Sequence, residues 1–229
     1  MKEIVPLLFL FIFPLIAAAQ TKNFLWTEYS FSDTRSVSSD EVALSAWLSR
    51  KTERNNGSVG VQFADEQITF DVNGIFLMKK WEHLSVSAEG ISSIEKYSDI
   101  SFRTNNFAGI LFHWDFKENF YAGTDVLCGI KTSTFFDLDL DTVWKFDTML
   151  GFYAGWNNHN GRDVSLFIGS RDHFFYPNFG YIIYSLSYCH EVDSQLAMRS
   201  SIFVRGIDMM TVSSYVDGWG MKFSMGFRL

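Results

Sequence analysis

The sequence predicts an all-β fold, an antiparallel up-and-down barrel of about twelve strands. The end of the chain, from Trp219 to Leu229, alternates without a break between apolar residues and small or charged ones. A period of two residues is typical of a β-strand with one apolar face. The region before it divides into segments of about ten residues with the same alternation, separated by turn residues, and it shows no long helical period.

Residues 1–19 are predicted to be a cleaved secretory signal peptide. The positively charged Lys2 precedes an apolar run at 4–16, and small residues stand directly before Gln20. These are the three parts of a signal peptide, and the apolar run is short for a transmembrane helix. We therefore expect a signal peptide at 1–19 and a single barrel domain at 20–229.

The composition limits the possible partners. Aromatic residues make up 17% of the chain, with 24 Phe among them, so many large side chains must be buried in a core or in lipid. The net charge is -7 and no basic block occurs, which argues against nucleic acid as a partner. Cys128 and Cys189 fall on opposite faces of their predicted strands, so we expect no disulfide between them.

Three hairpins in the second half of the chain can be paired by parity, because facing residues must point to the same side of a sheet. The apolar faces match if each turn holds three residues. The predicted turns are 117–119, 159–161 and 191–193.

The first half of the chain is less regular. Asn56-Gly57 is a strong two-residue turn signal, and Lys80-Trp81-Glu82 joins two further alternating segments. The segment Asp40–Arg50 fits either a strand or a short amphipathic helix. A helix there leaves a barrel of ten strands as the alternative.

The predicted connections fall into two classes. Tight turns follow every second strand, and mostly longer connections lie between them, the short Asp65–Gln67 excepted. The longer connections are 33–41, 93–105, 132–141, 172–178 and 206–211. Together with the amphipathic strand that closes the chain, this resembles bacterial outer-membrane β-barrel proteins, although their final residue is usually aromatic and here is Leu229.

The resemblance implies transmembrane strands and a place in the bacterial outer membrane. Tyrosines and tryptophans near strand ends then suit the aromatic girdles at the two interfaces. They are Trp114, Tyr121, Trp156, Tyr176, Tyr215 and Trp219. Alternation alone leaves a soluble sandwich or a lipocalin-like barrel as the alternative, because it does not say whether the apolar face meets lipid or a core.

If the apolar parity faces lipid, the other parity lines the lumen. The residues predicted to line a solute path are Arg199, Arg205, Lys222, Arg228, Lys131, Lys145, Asp125, Asp147, Glu89 and His113, together with Arg171. The basic residues of the last two strands could guide anionic solutes through a narrow channel. Alternatively, these charges pair with the carboxylates and seal the interior.

His113 is the one histidine placed for chemistry. It shares the inward parity with Asp115, faces Gly123 across the hairpin and lies diagonal to Asp125. A histidine beside carboxylates can serve as a general base, but a hydrogen-bonded lumen histidine fits the same pattern. No serine partner can be assigned and no enzyme motif is present, so we expect no catalytic residue. We also expect no metal site and no cofactor.

The function predicted from the sequence is a narrow, porin-like passive channel for small solutes. The alternatives are a sealed barrel that acts through its surface, and a lipid-modifying enzyme of the outer membrane. Outer-membrane lipid is the expected partner in each case.

Overall fold

The computed structural model describes residues 22–34, 39–64, 67–97, 101–116, 119–135, 142–158, 161–170, 181–207 and 215–229. The predicted signal peptide, Arg171 and Tyr176 lie outside these residues.

Twelve strands make up most of the described chain. They are β1 (Lys22–Thr34), β2 (Ser39–Lys51), β3 (Asn55–Ala64), β4 (Gln67–Lys80), β5 (Leu84–Tyr97), β6 (Ser101–Asp115), β7 (Phe120–Phe135), β8 (Thr142–Asn158), β9 (Arg162–Gly169), β10 (Tyr181–Glu191), β11 (Leu196–Ile207) and β12 (Tyr215–Arg228). Each strand is antiparallel to its neighbours in the chain, and β12 pairs with β1 to close the barrel. The predicted fold class is confirmed, with twelve strands and not ten.

The segment Asp40–Arg50 lies in a strand, so the helical alternative is wrong. Leu44 and Leu48 point outward on β2, and the inward Trp47 faces Trp26 of β1. Apolar residues at this period of two match the outward faces of both neighbouring strands, which a helix could not do. Among the residues that the structure describes, no helix is long and apolar enough to cross a membrane.

The turn predicted at Asn56-Gly57 is also wrong, because both residues pair within β3, opposite Lys51 and Arg50. The chain reverses at 52–54 instead. The Thr52 hydroxyl accepts hydrogen bonds from the backbone N–H groups of Arg54 and Asn55, at 3.3 and 2.8 Å. This local bond tightens the turn before the Asn-Gly pair is reached.

The other turns are close to the prediction. Asn158 of β8 pairs with Arg162 of β9, so the predicted three-residue length of the connection at 159–161 is confirmed, and Gly161 has a φ of 75°. The predicted pairing of His113 with Gly123 is confirmed too. The turn predicted at 80–82 lies at 81–83, one residue later.

The last predicted turn lies at 192–195 and not at 191–193. Glu191 still pairs, with Ala197, and the Asp193 carboxylate accepts the N–H groups of Gln195 and Leu196 at 2.6 and 2.7 Å. Because the pairing moves by an even number of residues, the inward and outward faces stay as predicted.

The connection predicted at 93–105 is mostly strand, since β5 continues to Tyr97 and β6 begins at Ser101. Its buried polar residues Ser93, Glu95 and Asn105 point into the barrel and are joined by hydrogen bonds. The Asn105 amide donates to Ser93 Oγ at 2.9 Å and to Glu95 Oε1 at 2.8 Å. The inner face of these two strands is polar, and a polar segment resembles a loop in the sequence. For this reason the segment was predicted as a connection.

The barrel is apolar on the outside and carries its buried residues on the inside. Leu186 is 52% exposed and Phe146 is 62% exposed on the outer face, whereas the inward Leu127 and Asp125 are 0% and 1% exposed. A soluble protein rarely exposes such a continuous apolar surface, but a membrane barrel needs one against lipid. The arrangement is that of a membrane barrel and not of a soluble sandwich.

Candidate solute path inside the barrel

The inside of the barrel is filled unevenly. On β5 to β8, the inward side chains of Ile91, Phe107, Leu127 and Met149 form a buried apolar cluster. On β9 to β11 the inward residues include serines that stay partly accessible to solvent. We call these the serine track: Ser165, Ser185, Ser187 and Ser201, where Ser187 pairs with both Ser165 and Ser201. Their small hydroxyl side chains fill less of the lumen than the apolar cluster does.

Two phenylalanines beside the serine track are turned away from it. Ser185 pairs with Phe167 on one side and with Phe203 on the other. The Phe203 ring lies against Gly220 of β12, and the Phe167 ring lies against Gly151 of β8 and Gly169 of its own strand. A Cβ atom at any of these glycines would collide with the ring. The glycines therefore let both rings lie along the wall, to either side of the track.

The same packing recurs elsewhere on the inner wall. Inward aromatic rings lie over glycines of a neighbouring strand: Trp47 over Gly60, Tyr153 over Gly123, Tyr121 over Gly155 and Trp26 over Gly226. The prediction that Tyr121 belongs to an outer aromatic girdle is wrong. It points inward and donates a hydrogen bond to the Asp163 carboxylate, at 3.0 and 3.1 Å to its two oxygens.

The basic residues of the last two strands point inward, with Ser201 opposite Lys222 and Arg199 opposite Ser224. Lys222 Nζ lies 3.7 Å from Glu28 Oε1, and the Arg199 guanidinium lies 4.8 Å from the ring centre of Trp26. Both contacts are with β1.

The other two basic residues of these strands lie at different heights. Arg205 is buried near the end of the barrel opposite the chain termini, whereas Arg228 is exposed beside the C-terminus. The four cations Arg228, Arg199, Lys222 and Arg205 therefore follow one wall from end to end, next to the serine track.

The remaining predicted residues lie on the opposite wall. Asp125 and Glu89 are buried on β7 and β5. Lys131 and Lys145 face each other across β7 and β8, and Lys131 Nζ lies 5.4 Å from the ring centre of Phe107. Asp147 accepts the backbone N–H of the next residue at 2.8 Å.

Asp71 was missed by the sequence reasoning. It points inward from β4 and is 5% exposed, and neither of its carboxylate oxygens has a hydrogen-bond partner among the described residues. Its inward parity with Thr69 and Asn73 was readable in the sequence, but its surroundings inside the closed barrel were not. Glu28 was missed for the same reason.

His113 has a partner on both ring nitrogens. Nδ1 lies 3.0 Å from the Tyr153 hydroxyl, and Nε2 lies 3.0 Å from Asp115 Oδ1. Both ring nitrogens are thus held by side chains of the inner wall, which fits a hydrogen-bonded lumen histidine. Within the described ranges, no group of three or more His, Cys, Asp or Glu residues is arranged to hold a metal ion.

In fold, the chain is a bacterial outer-membrane β-barrel. A KdgM porin matches it with a TM-score of 0.58 and 8% identity, over 89% of this chain and 99% of that chain. A NanC porin matches with a TM-score of 0.59 and 11% identity, over 90% and 100%. The translocator domain of the autotransporter NalP from Neisseria meningitidis matches with a TM-score of 0.54 and 6% identity, over 100% and 95%.

At such low identity these likenesses show the fold alone. No family model matches the sequence, and no curated protein matches it.

The glycine under Phe203 provides a test of the path. Gly220→Val is expected to push the Phe203 ring off the wall and into the serine track, lowering single-channel conductance in a planar bilayer. The overpacking should also cost about 1–3 kcal/mol of folding free energy.

The control for this prediction is Gly74→Val. A Cβ at Gly74 meets nothing within 4 Å, so this variant should conduct like the wild type. Equal conductance of the Gly220→Val variant and the wild type would contradict a path along the serine track.

Proposed function

We propose that the protein is a narrow passive channel for small polar solutes in a bacterial outer membrane. The carrying observation is the uneven filling of the lumen, with a packed apolar cluster on β5 to β8 and a solvent-accessible serine track on β9 to β11. Small polar side chains along one wall make a path that water can fill, while the cluster keeps it narrow.

The charges support the same function. A buried carboxylate without hydrogen bonds, such as that of Asp71, is costly in a dry interior. The cost falls if water or a passing ion reaches the Asp71 carboxylate. The basic residues beside the serine track and the carboxylates of the opposite wall place a field across the path, and this field selects among charged solutes.

The fold neighbours agree with a channel. KdgM and NanC are both described as porins, and KdgM has been solved in complex with disordered oligogalacturonate. For this chain we propose the passage of small solutes, and the residues of its own lumen determine which solutes pass.

The test is single-channel recording of the purified, refolded protein in a planar lipid bilayer. We expect stepwise conductance that rises with salt concentration. A protein that refolds and inserts, shown by protection of its strands from protease, but carries no current would exclude the channel.

A sealed barrel that acts through its surface is the second candidate. The observation in its favour is the apolar cluster of Ile91, Phe107, Leu127 and Met149, in which Leu127 and Met149 are almost completely inaccessible. Insertion without conductance in the same recording is the result that this candidate requires.

Export is a separate prediction. The mature chain is expected to begin at Gln20, because Ala17 and Ala19 place small side chains at the two positions that a signal peptidase reads. Intact-mass analysis of protein extracted from outer membranes measures this directly. A chain that keeps residues 1–19 would contradict the proposed route to the membrane.

A further inference from the structure

Three aromatic rings tile one part of the inner wall, near the end of the barrel that carries both termini. We call them the aromatic platform: His113 of β6, Tyr121 of β7 and Tyr153 of β8. The ring centre of His113 lies 5.5 Å from that of Tyr121 and 5.9 Å from that of Tyr153, and the two tyrosine rings lie 6.1 Å apart.

The platform presents ring faces to the lumen. The Tyr153 ring rests on Gly123 and the Tyr121 ring rests on Gly155, so the back of each ring is against the strand backbone. Since all three residues point inward and are only partly buried, their other faces are turned to the lumen.

The edges of the rings are held by hydrogen bonds. Asp115 bonds to His113, His113 bonds to the Tyr153 hydroxyl, and the Tyr121 hydroxyl donates to Asp163. The polar atoms of the platform are therefore satisfied within the protein, and its free surface is the aromatic faces. A surface held in this way needs little reorganisation to bind a ligand.

The charges around the platform are negative. Asp115 and Asp163 lie at its edge, and Asp125 lies on the same inner face, two residues along β7 from Gly123. The Asp115 side chain is 49% exposed, so its charge is open to the lumen. An anion would be repelled here, and a neutral solute would gain only the stacking.

We propose that the aromatic platform is a binding subsite for organic cations, with an ammonium group over the tyrosine faces and the carboxylates as counter-charge. A cation over an aromatic face gains about 0.5–2 kcal/mol, more when it is desolvated. The subsite adds a substrate class, organic cations, to the proposed channel. The inference rests on the proposed function only where it assumes that the cation passes through the lumen. Binding itself requires only that the lumen be open at the end carrying the termini.

The experiment is isothermal titration calorimetry on the full mature chain, refolded in detergent, with benzyltrimethylammonium as the probe. Benzenesulfonate and glucose serve as the anionic and neutral comparisons. We expect saturable binding of the cation and at least tenfold weaker binding of both comparison solutes. No binding of the cation to the folded wild type, or equal binding of glucose, would overturn the proposal.

Two variants localise the site. Tyr121→Leu removes one ring face and is expected to raise the dissociation constant about two- to thirtyfold, the range that corresponds to the cation–π energy. Asp115→Asn should raise it as well, and the increase should shrink in high salt. Tyr29→Leu is the matched control, because Tyr29 faces outward on β1 and should leave binding unchanged.

Circular dichroism and heat-modifiable migration in gels establish that each variant is folded. An unchanged dissociation constant in folded Tyr121→Leu would place the cation elsewhere. The subsite and the channel fail separately: conductance without cation binding removes the subsite alone, and cation binding without conductance removes the channel alone.

Discussion

Leu186→Arg is expected to destabilise the barrel by about 2–4 kcal/mol, while Ser187→Arg, one residue further along β10, should cost far less. Leu186 lies mid-strand on the outer face, between Leu166 and Ile202. A charge there must be placed in lipid, which is the source of the cost. Ser187 points into the lumen, where water in the serine track can solvate the guanidinium.

Urea titration of refolding into lipid vesicles measures both variants. Both substitutions add the same side chain to the same strand. The difference between their losses of folding free energy therefore measures the effect of facing lipid or lumen, and not the propensity of arginine for a β-strand. Equal destabilisation would mean that the outer face does not lie in lipid, and the membrane assignment would fail with it.

Lys222→Met is expected to shift the proposed channel strongly towards cations. Lys222 Nζ lies 3.7 Å from Glu28 Oε1, so its loss removes a positive charge from the lumen and leaves that carboxylate without its cation. In a narrow, low-dielectric passage such charges raise the local cation concentration by about tenfold or more, most of all at low salt. The barrel should also lose stability, because a carboxylate is left without its partner.

The measurement is the reversal potential across a gradient of potassium chloride. Arg228→Met is the control, since Arg228 is exposed at the end of the barrel and should move the potential much less. A Lys222→Met channel with the selectivity of the wild type would show that the charges at Lys222 do not lie on the solute path.

The faces of the strands were predictable because inward and outward positions alternate residue by residue. The pairing of His113 with Gly123 followed from parity and a three-residue turn, and the structure has it. Turn positions were less predictable where a side chain bonds to the backbone. Thr52 and Asp193 form such bonds and place their turns away from the residues that carried the signal.

The interior was harder to predict, because its contacts join strands far apart in the sequence. Lys222 on β12 meets Glu28 on β1, and the parity of each strand gives no sign of that partner. Tyr121 looked like a girdle residue because it stands near a strand end. The glycine opposite it, Gly155, is what allows its ring to lie along the inner wall.

The sequence by itself therefore determined the class of the fold and the two faces of the wall, since both depend on local alternation. Only the tertiary structure decided how the lumen is filled. Closure of β12 on β1 arranges strands that are distant in the sequence around one lumen. The space left in the lumen depends on which large inward side chains pack flat on a glycine of a neighbouring strand. Because each ring packs on a glycine of a neighbouring strand, the positions of the serine track and the aromatic platform cannot be predicted from the sequence of any one strand.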